Sequence, residues 1–180
     1  AVQTNVMERD DNVAISAVRE ELARGGQVFY VVPRVEMVEE EVNKLQSALP
    51  DVRVDYAYSG IKDLERRIVA FTLGETDVLV ATTILENGID IPNVNTIIVQ
   101  ATHMFGLAQL HQLRGRVGRA AVQAYAYLMH PPRVQLSDDA MQRLRVLQRE
   151  TDLGAGANLA RSDLQMRGAV NLFGVAQKGD

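Results

Sequence analysis

Short apolar runs alternate with segments of helical periodicity over about the first 130 residues, and this alternation limits the fold more than any other feature. Three of the runs, QVFYVV, VLVA and TIIV, are nearly continuous and rich in β-branched residues, as strands buried on both faces are. Strands that are separated by helices join through right-handed crossovers into a parallel sheet. The sequence therefore predicts an α/β fold, with a parallel sheet flanked by helices.

The same patterns predict where the elements begin and end. The strands are expected at Gln27–Val32, Val52–Tyr58, Val78–Ala81, Thr96–Val99 and Ala124–Met129. The helices are expected at Val13–Arg24, over 38–49, from Leu64 to near Gly74, and at Ala108–Leu113.

A change of pattern after residue 130 predicts a second part of the chain. Pro131-Pro132 ends the alternation, and Ser137 with Asp138 and Asp139 has the hydroxyl cap and early acids of a helix start. Met141, Leu144 and Leu147 are expected to form the buried side of that helix. We therefore predict an α/β domain over residues 1–135 and a helical appendage over residues 136–180.

Composition excludes several kinds of site and points to an uneven charge. The chain has no cysteine, so disulfides and thiolate zinc sites are excluded, and its three scattered histidines predict no metal site. No apolar run reaches the ~18 residues of a membrane span, so no membrane partner is expected. Residues 1–100 hold 9 Lys+Arg and 17 Asp+Glu, a net charge of −8, whereas residues 101–180 hold 10 and 6, a net charge of +4. An anionic partner is therefore expected to meet the second half.

The segment QLHQLRGRVGR, Gln109–Arg119, carries the clearest chemical signal. It places Arg114, Arg116 and Arg119 within six positions, with glycines between them where a ligand could approach the backbone. A guanidinium offers paired donors that match phosphate oxygens, so the cluster suits a transferring phosphoryl group. A solvated basic turn is the other interpretation of this segment.

No GxxxxGK[ST] motif occurs in the chain, so nothing here predicts a cradle for the β- and γ-phosphates. If the chain handles a nucleoside triphosphate, it supplies groups to a nucleotide held elsewhere. Arg116 and Arg119, three residues apart, can project from one helical turn and stabilise charge on the γ-phosphoryl group, an effect of about 10³–10⁵ in rate. Gln112 either contacts the nucleotide or attacking water, or is a solvated helix residue.

The segment ATTILENGIDIP, Ala81–Pro92, is the second candidate. Thr82 and Thr83 follow a buried strand, where hydroxyls and amides can contact a phosphate. Gly88 permits a turn, and Asp90 offers a carboxylate to a ribose hydroxyl or to the arginines. Ligands of parallel sheets lie beyond the carboxyl ends of the strands, where the loops after Ala81 and Val99 are expected. A simple strand-to-helix cap remains the alternative.

Together the two segments resemble motifs V and VI of superfamily 2 helicases and translocases. The pattern QxxGRxGR is matched at Gln112, Gly115, Arg116, Gly118 and Arg119. The chain is thus similar to a second RecA-like motor domain, a P-loop NTPase fold that lacks its own P-loop. FGLAQLHQLRGRVGRA is typical of the RecG branch, and LGAGANLARSDLQMRG with NLFG resembles the helical translocation hairpin of that branch.

The resemblance implies a role for each candidate residue. Arg116 and Arg119 would be arginine fingers, and Arg167 would belong to the coupling hairpin. The nucleotide-facing set would be Gln112, Gly88, Asp90 and Gly115, and the DNA-contacting set Thr82, Thr83 and Ser59. The family usually has a His-Gly pair where this chain has Tyr58-Ser59-Gly60, and RGxG where it has RGAV at 167–170. These departures concern the DNA contact near Ser59 and the coupling hairpin.

Three functions follow as hypotheses. The first is half of an ATP-driven double-stranded DNA translocase that acts on stalled RNA polymerase during repair, in bacterial cytoplasm at the nucleoid or in plastid stroma. ATP with Mg²⁺ would be held mainly by the N-terminal RecA-like domain of the same protein, so this chain alone is expected to be inactive. The second is the same half of a RecG-like fork-remodelling helicase. The third is a non-catalytic nucleic-acid or protein-binding module.

Overall fold

The computed structural model describes residues 2–82, 94–118 and 121–161, with side chains as far as residue 150. Its centre is a sheet of six strands, β1 (Val2–Glu8), β2 (Val28–Val31), β3 (Val54–Ala57), β4 (Val78–Ala81), β5 (Thr96–Val99) and β6 (Ala124–His130). The strand order is β1-β6-β5-β2-β4-β3, and every pairing is parallel. The predicted α/β architecture is therefore confirmed.

Helices cover both faces of the sheet. They are α1 (Asp11–Ala23), α2 (Val38–Ala48), α3 (Leu64–Thr72), α4 (Leu107–Arg114) and α5 (Asp138–Arg161). Short 3₁₀ turns at Val35–Met37, Thr102–Met104 and Arg133–Gln135 precede α2, α4 and α5. One core cluster packs α1 and α2 against one face, and a second packs α3, α4 and α5 against the other. The central strands β2, β4 and β5 are buried along their whole length, which explains their continuous apolar sequences.

Strand β1 was not expected from the sequence. It pairs with β6 over seven residues, from Val2 opposite Ala124 to Glu8 opposite His130. As an edge strand it buries Thr4 and Val6, but its sequence, VQTNVME, shows no regular alternation of polar and apolar residues. Because the segment also includes asparagine and glutamate, both disfavoured in strands, local pattern gives little signal. Pairing with β6 supplies the stabilisation that the segment itself lacks.

The start of α5 agrees with the predicted cap. The Ser137 hydroxyl accepts a hydrogen bond from the Ala140 N–H at 3.1 Å, and Leu144 and Leu147 are buried as expected, whereas Met141 is only half-buried. Both leucines belong to the core cluster that includes Val6 and Leu128, so the first part of α5 packs on the sheet. The helix continues through the Gly/Ala-rich stretch to Arg161. The predicted hairpin beyond it lies outside the described residues.

Candidate functional site

Helix α4 positions the first half of the arginine segment. Leu110 and Leu113 are buried in the core, and this orientation leaves His111 and Gln112 exposed on the outer side. The Gln109 side chain caps the helix instead, because its Oε1 accepts a hydrogen bond from the Gly106 N–H at 3.0 Å. Of the two glutamines in QLHQ, Gln112 is therefore the exposed one.

The turn after α4 is fixed by Val94, the residue that precedes β5. The Val94 N–H donates to the Arg116 carbonyl at 3.2 Å, and the Gly118 N–H donates to the Val94 carbonyl at 2.7 Å. Two hydrogen bonds on either side of Val117 hold the backbone of this turn against the sheet. Arg116 is half-buried there, on a backbone that these bonds make a rigid base.

The two glycines of the turn serve different needs. Gly118 has φ +105°, a conformation that L side chains rarely adopt, and a Cβ there would lie 3.6 Å from the side chains of Val2 and Ala124. Gly115 has an ordinary helical φ of −66° and is exposed. The backbone thus requires glycine at 118, whereas at 115 it does not.

The arginine turn lies at the amino edge of the sheet. Val94 precedes β5, and Val2 and Ala124 are the first residues of β1 and β6. From the sequence we expected ligand-binding loops at the carboxyl edge, with the arginine segment following one of them. Helix α4 runs back across the sheet and carries Arg116 to the opposite edge. The carboxyl-edge rule therefore does not locate Arg116.

Two of the predicted DNA-contacting residues, Thr82 and Ser59, lie at the carboxyl edge. The Thr82 N–H donates to the Ala57 carbonyl at 3.4 Å, which joins the ends of the neighbouring strands β4 and β3. Ser59 follows β3 in a tight turn in which Gly60 has φ +90°, and its side chain is exposed. Thr82 is buried, with 7% exposure. Ser59 is thus the more accessible of the two residues at this edge.

Five predicted site residues lie outside the described residues, namely Thr83, Gly88, Asp90, Arg119 and Arg167. The described chain resumes at Val94, two residues after the end of the second candidate segment, and Val94 bonds the turn at Arg116 and Gly118.

Helix α4 is also linked to α5. The His111 Nε2 lies 3.1 Å from the Glu150 carboxylate, an ion pair when the imidazole is protonated. The Arg114 guanidinium lies 3.5 Å from the His111 Nδ1. Contacts of this kind connect the arginine segment with the helix that leads toward the predicted hairpin.

Sequence reasoning missed a buried polar network on the α1–α2 face. The Glu41 carboxylate accepts two hydrogen bonds from Arg9, at 2.9 and 3.0 Å, and one from the Tyr30 hydroxyl at 2.7 Å. Gln100 donates to the same hydroxyl at 2.9 Å. Burial, followed by the charge of Glu41, raises the pKa of Tyr30 well above its usual value. The sequence did contain a signal for the burial of Glu41, because Glu41 falls on the same helical face as the buried Val38 and Leu45 of α2.

The described residues contain no group of three or more histidine or acidic side chains that could hold a metal ion. Within the same ranges, no helix is both long enough and apolar enough to span a membrane.

Comparison with known proteins decides the family. Residues 13–121 match the helicase conserved C-terminal domain, which is more than half of the chain and includes the turn at Arg116. The chain belongs to this family. A member bound to a three-way DNA junction, RecG, superimposes with a TM-score of 0.67 at 35% identity over 93% of this chain and 22% of that one. The C-terminal domain of the DEAD-box protein Dbp5, at 20% identity and a TM-score of 0.60, shares the fold.

Relatives of this helicase domain extend the match to nearly the whole chain. Transcription-repair-coupling factors of Myxococcus xanthus and Staphylococcus haemolyticus are 48% and 44% identical over 99% of it. A chloroplastic ATP-dependent DNA helicase of Arabidopsis thaliana is 44% identical over the same share. The chain spans only 15% of the two bacterial relatives and 22% of the plant one. The resemblance to the RecG branch of superfamily 2 is thereby confirmed.

Proposed function

We propose that this helicase domain is the second motor domain of an ATP-driven double-stranded DNA translocase that acts on stalled RNA polymerase in DNA repair. The observation that carries the proposal is the turn at Arg116–Gly118, fixed on Val94, in a sequence without a P-loop. The similarity of almost the entire chain to transcription-repair-coupling factors supports the assignment to repair.

In this proposal, Arg116 and Arg119 act on a nucleotide held by the N-terminal RecA-like domain of the same protein. ATP with Mg²⁺ supplies the γ-phosphoryl group when it is bound between the two domains. The guanidinium of Arg116 stabilises the charge that develops on that group, and its rigid base avoids reorganisation during the reaction. Gln112 is exposed one turn before Arg116 and would contact the nucleotide, together with Gly88, Asp90 and Gly115.

The remaining roles concern movement along DNA. Ser59, with Thr82 and Thr83, would contact the phosphate backbone at the carboxyl edge, so binding should tolerate sequence and weaken with salt. Arg167 would couple nucleotide state to a step through the hairpin within residues 136–180, beside a motor domain of residues 1–135. RNA polymerase would be bound by regions outside this chain. The setting would be bacterial cytoplasm, at the nucleoid, or plastid stroma.

The proposal is tested by ATP turnover. The chain is joined to the P-loop domain of its full-length protein, and Arg116 or Arg119 is replaced by alanine. DNA-stimulated hydrolysis should fall about 10³-fold or more. Arg53→Ala is the matched control, because Arg53 is exposed and paired with Asp77 at 2.9 Å near the start of β3. Turnover that is unchanged by the Arg116 and Arg119 substitutions would contradict the proposal.

The second candidate function is fork remodelling by a RecG-like helicase, which the 35% identity to RecG favours. The whole protein distinguishes the two functions. A coupling factor displaces stalled RNA polymerase, whereas a fork-remodelling helicase regresses a model replication fork. A protein that regresses forks and leaves polymerase in place would replace the first proposal by the second.

A further inference from the structure

Helix α5 carries exposed arginines on the side that faces away from the core. Arg145 and Arg149 lie one turn apart, and both are exposed, while Leu144 and Leu147 face the sheet. Arg133, in the 3₁₀ turn before α5, lines the same small cavity as Arg145. These three residues, Arg133, Arg145 and Arg149, are named the arginine stripe below.

The side chains of the stripe have no internal partner. Among residues with described side chains, no ion pair or side-chain hydrogen bond joins Arg133, Arg145 or Arg149 to another residue. Neighbouring Arg143 is turned inward and donates to the His103 carbonyl at 2.6 Å. The guanidinium groups of the stripe therefore have their donors directed to solvent.

Glutamine side chains extend the donor surface between the arginines. Gln142 and Gln148 line, together with Arg145 and Arg149, a shallow surface depression of about 420 Å³. Asp138 and Asp139 lie two turns, or about 10 Å, before Arg145, and Asp152 follows three residues after Arg149. The positive region is thus confined to about two turns of helix, a length suited to one segment of a phosphate backbone.

The opposite face of the sheet has the opposite charge. A groove of about 890 Å³ between α1 and α2 is lined by Asp11, Glu36, Glu39 and Glu40. Arg9 and Lys44 also line it, but both are paired with carboxylates. A polyanion is therefore repelled from the α1–α2 face and attracted to the α5 face, so the domain is oriented before contact.

From this arrangement we infer that the arginine stripe of α5 is a second contact with the phosphate backbone of duplex DNA. The inference rests on the proposed function, which makes duplex DNA the polyanion. The stripe on α5 would be a DNA contact separate from the proposed contacts of Ser59 and Thr82 at the carboxyl edge. Its contacts are with phosphates, so the stripe contributes affinity and salt dependence without base preference.

The test measures the affinity of the joined two-domain protein for a duplex of random sequence, at about 50 and about 200 mM salt. The Arg145→Gln/Arg149→Gln variant should lower the slope of log K against log salt by about 1.8, since each phosphate contact contributes about 0.9. Its affinity should be about 30-fold weaker at the lower salt concentration and about threefold weaker at the higher one. Turnover at saturating DNA should stay at the wild-type value.

The matched control is Arg19→Gln/Arg53→Gln, which removes the same charge from exposed arginines paired with Asp51 and Asp77. Its salt slope should equal that of the wild type. A stripe variant with wild-type affinity and slope would overturn the inference, and so would equal effects of the stripe and control variants. A failure of the proposed function is recognised by a different measurement. The Arg116→Ala variant would then hydrolyse ATP at the wild-type rate, whatever the result for the stripe variant.

Discussion

The two faces of the sheet use charged residues in different ways. On the α1–α2 face, two carboxylates are buried, Glu21 at 1% exposure and Glu41 at 4%, and each is bonded by an arginine, Arg24 or Arg9. Thr96 adds a hydrogen bond to Glu21 at 2.5 Å. These charges face one another inside the domain, so their arginines are occupied by the fold itself.

On the face covered by α3, α4 and α5, the described core contains no buried carboxylate. The arginines of its α5 stripe lie at the surface, with no side-chain partner among residues with described side chains. Arginines that are paired with buried acids stabilise the structure, whereas unpaired arginines directed outward are available to a phosphate. The contrast separates residues whose loss should unfold the domain from residues whose loss should only disable it.

The largest effect on stability is expected at the buried network of the α1–α2 face. Glu41→Ala removes the acceptor of the Tyr30 hydroxyl and of two N–H groups of Arg9, which keeps only its bond to Asp11, and should cost about 3 kcal/mol in the free energy of unfolding. Urea denaturation measures this loss. Glu40→Ala, which removes an exposed partner of Lys44 on the same helix, should change it by less than about 0.5 kcal/mol. Similar losses in both variants would remove the distinction between the two kinds of charge.

A smaller effect on stability is expected at the arginine turn, where substitution of the two glycines should have different costs. Gly118→Ala places a side chain at φ +105° and should cost about 1–2 kcal/mol. Gly115→Ala, at a helical φ, should be nearly neutral for stability. Thermal unfolding of both variants checks the difference. If Gly115→Ala proved as destabilising as Gly118→Ala, the separate roles assigned to the two glycines would be wrong.

The smallest effect concerns the pH dependence of stability at His103, in the 3₁₀ turn Thr102–Met104 that contacts α5. Burial, then the charges of His130 and Arg143, lowers the pKa of His103 from its ordinary value of 6.5. A base with a lowered pKa in the folded state binds its proton more readily when unfolded, so stability is full above about pH 6.5 and declines below it. Between about pH 7.5 and about pH 5.5, the wild type should lose more stability than His103→Gln. Parallel pH profiles for the two proteins would contradict this assignment.

Most of the fold could be predicted from the sequence because its central strands are buried on both faces. Continuous apolar runs such as VLVA and TIIV allow few other structures, and the observed strands coincide with them. Strand β1 could not be found in this way, because its stability comes from β6, which lies more than a hundred residues away along the chain. The pairing of Glu41 with Arg9, 32 residues away along the chain, could not be found from local pattern either.

The sequence predicts a chemistry for the arginine segment, which stays a prediction, whereas its position in the fold was not predictable. The spacing of Gln112, Gly115 and Arg116 predicts a phosphate-facing segment, and the structure leaves Gln112 exposed. The strand order alone does not predict which edge of the sheet the arginine turn occupies, because this depends on the length and direction of α4. The stripe at Arg145 and Arg149 was present in the sequence only as an excess of positive charge in the second half.

Arg116 is proposed to belong to half of an active site, and ATP turnover tests this directly. Hydrolysis is measured with duplex DNA for this chain alone, for the P-loop domain of its full-length protein alone, and for the two joined. Neither half alone should hydrolyse ATP at an appreciable rate, and the joined protein should do so with stimulation by DNA. Robust turnover by this chain alone, or no gain on joining it to the P-loop domain, would contradict the account.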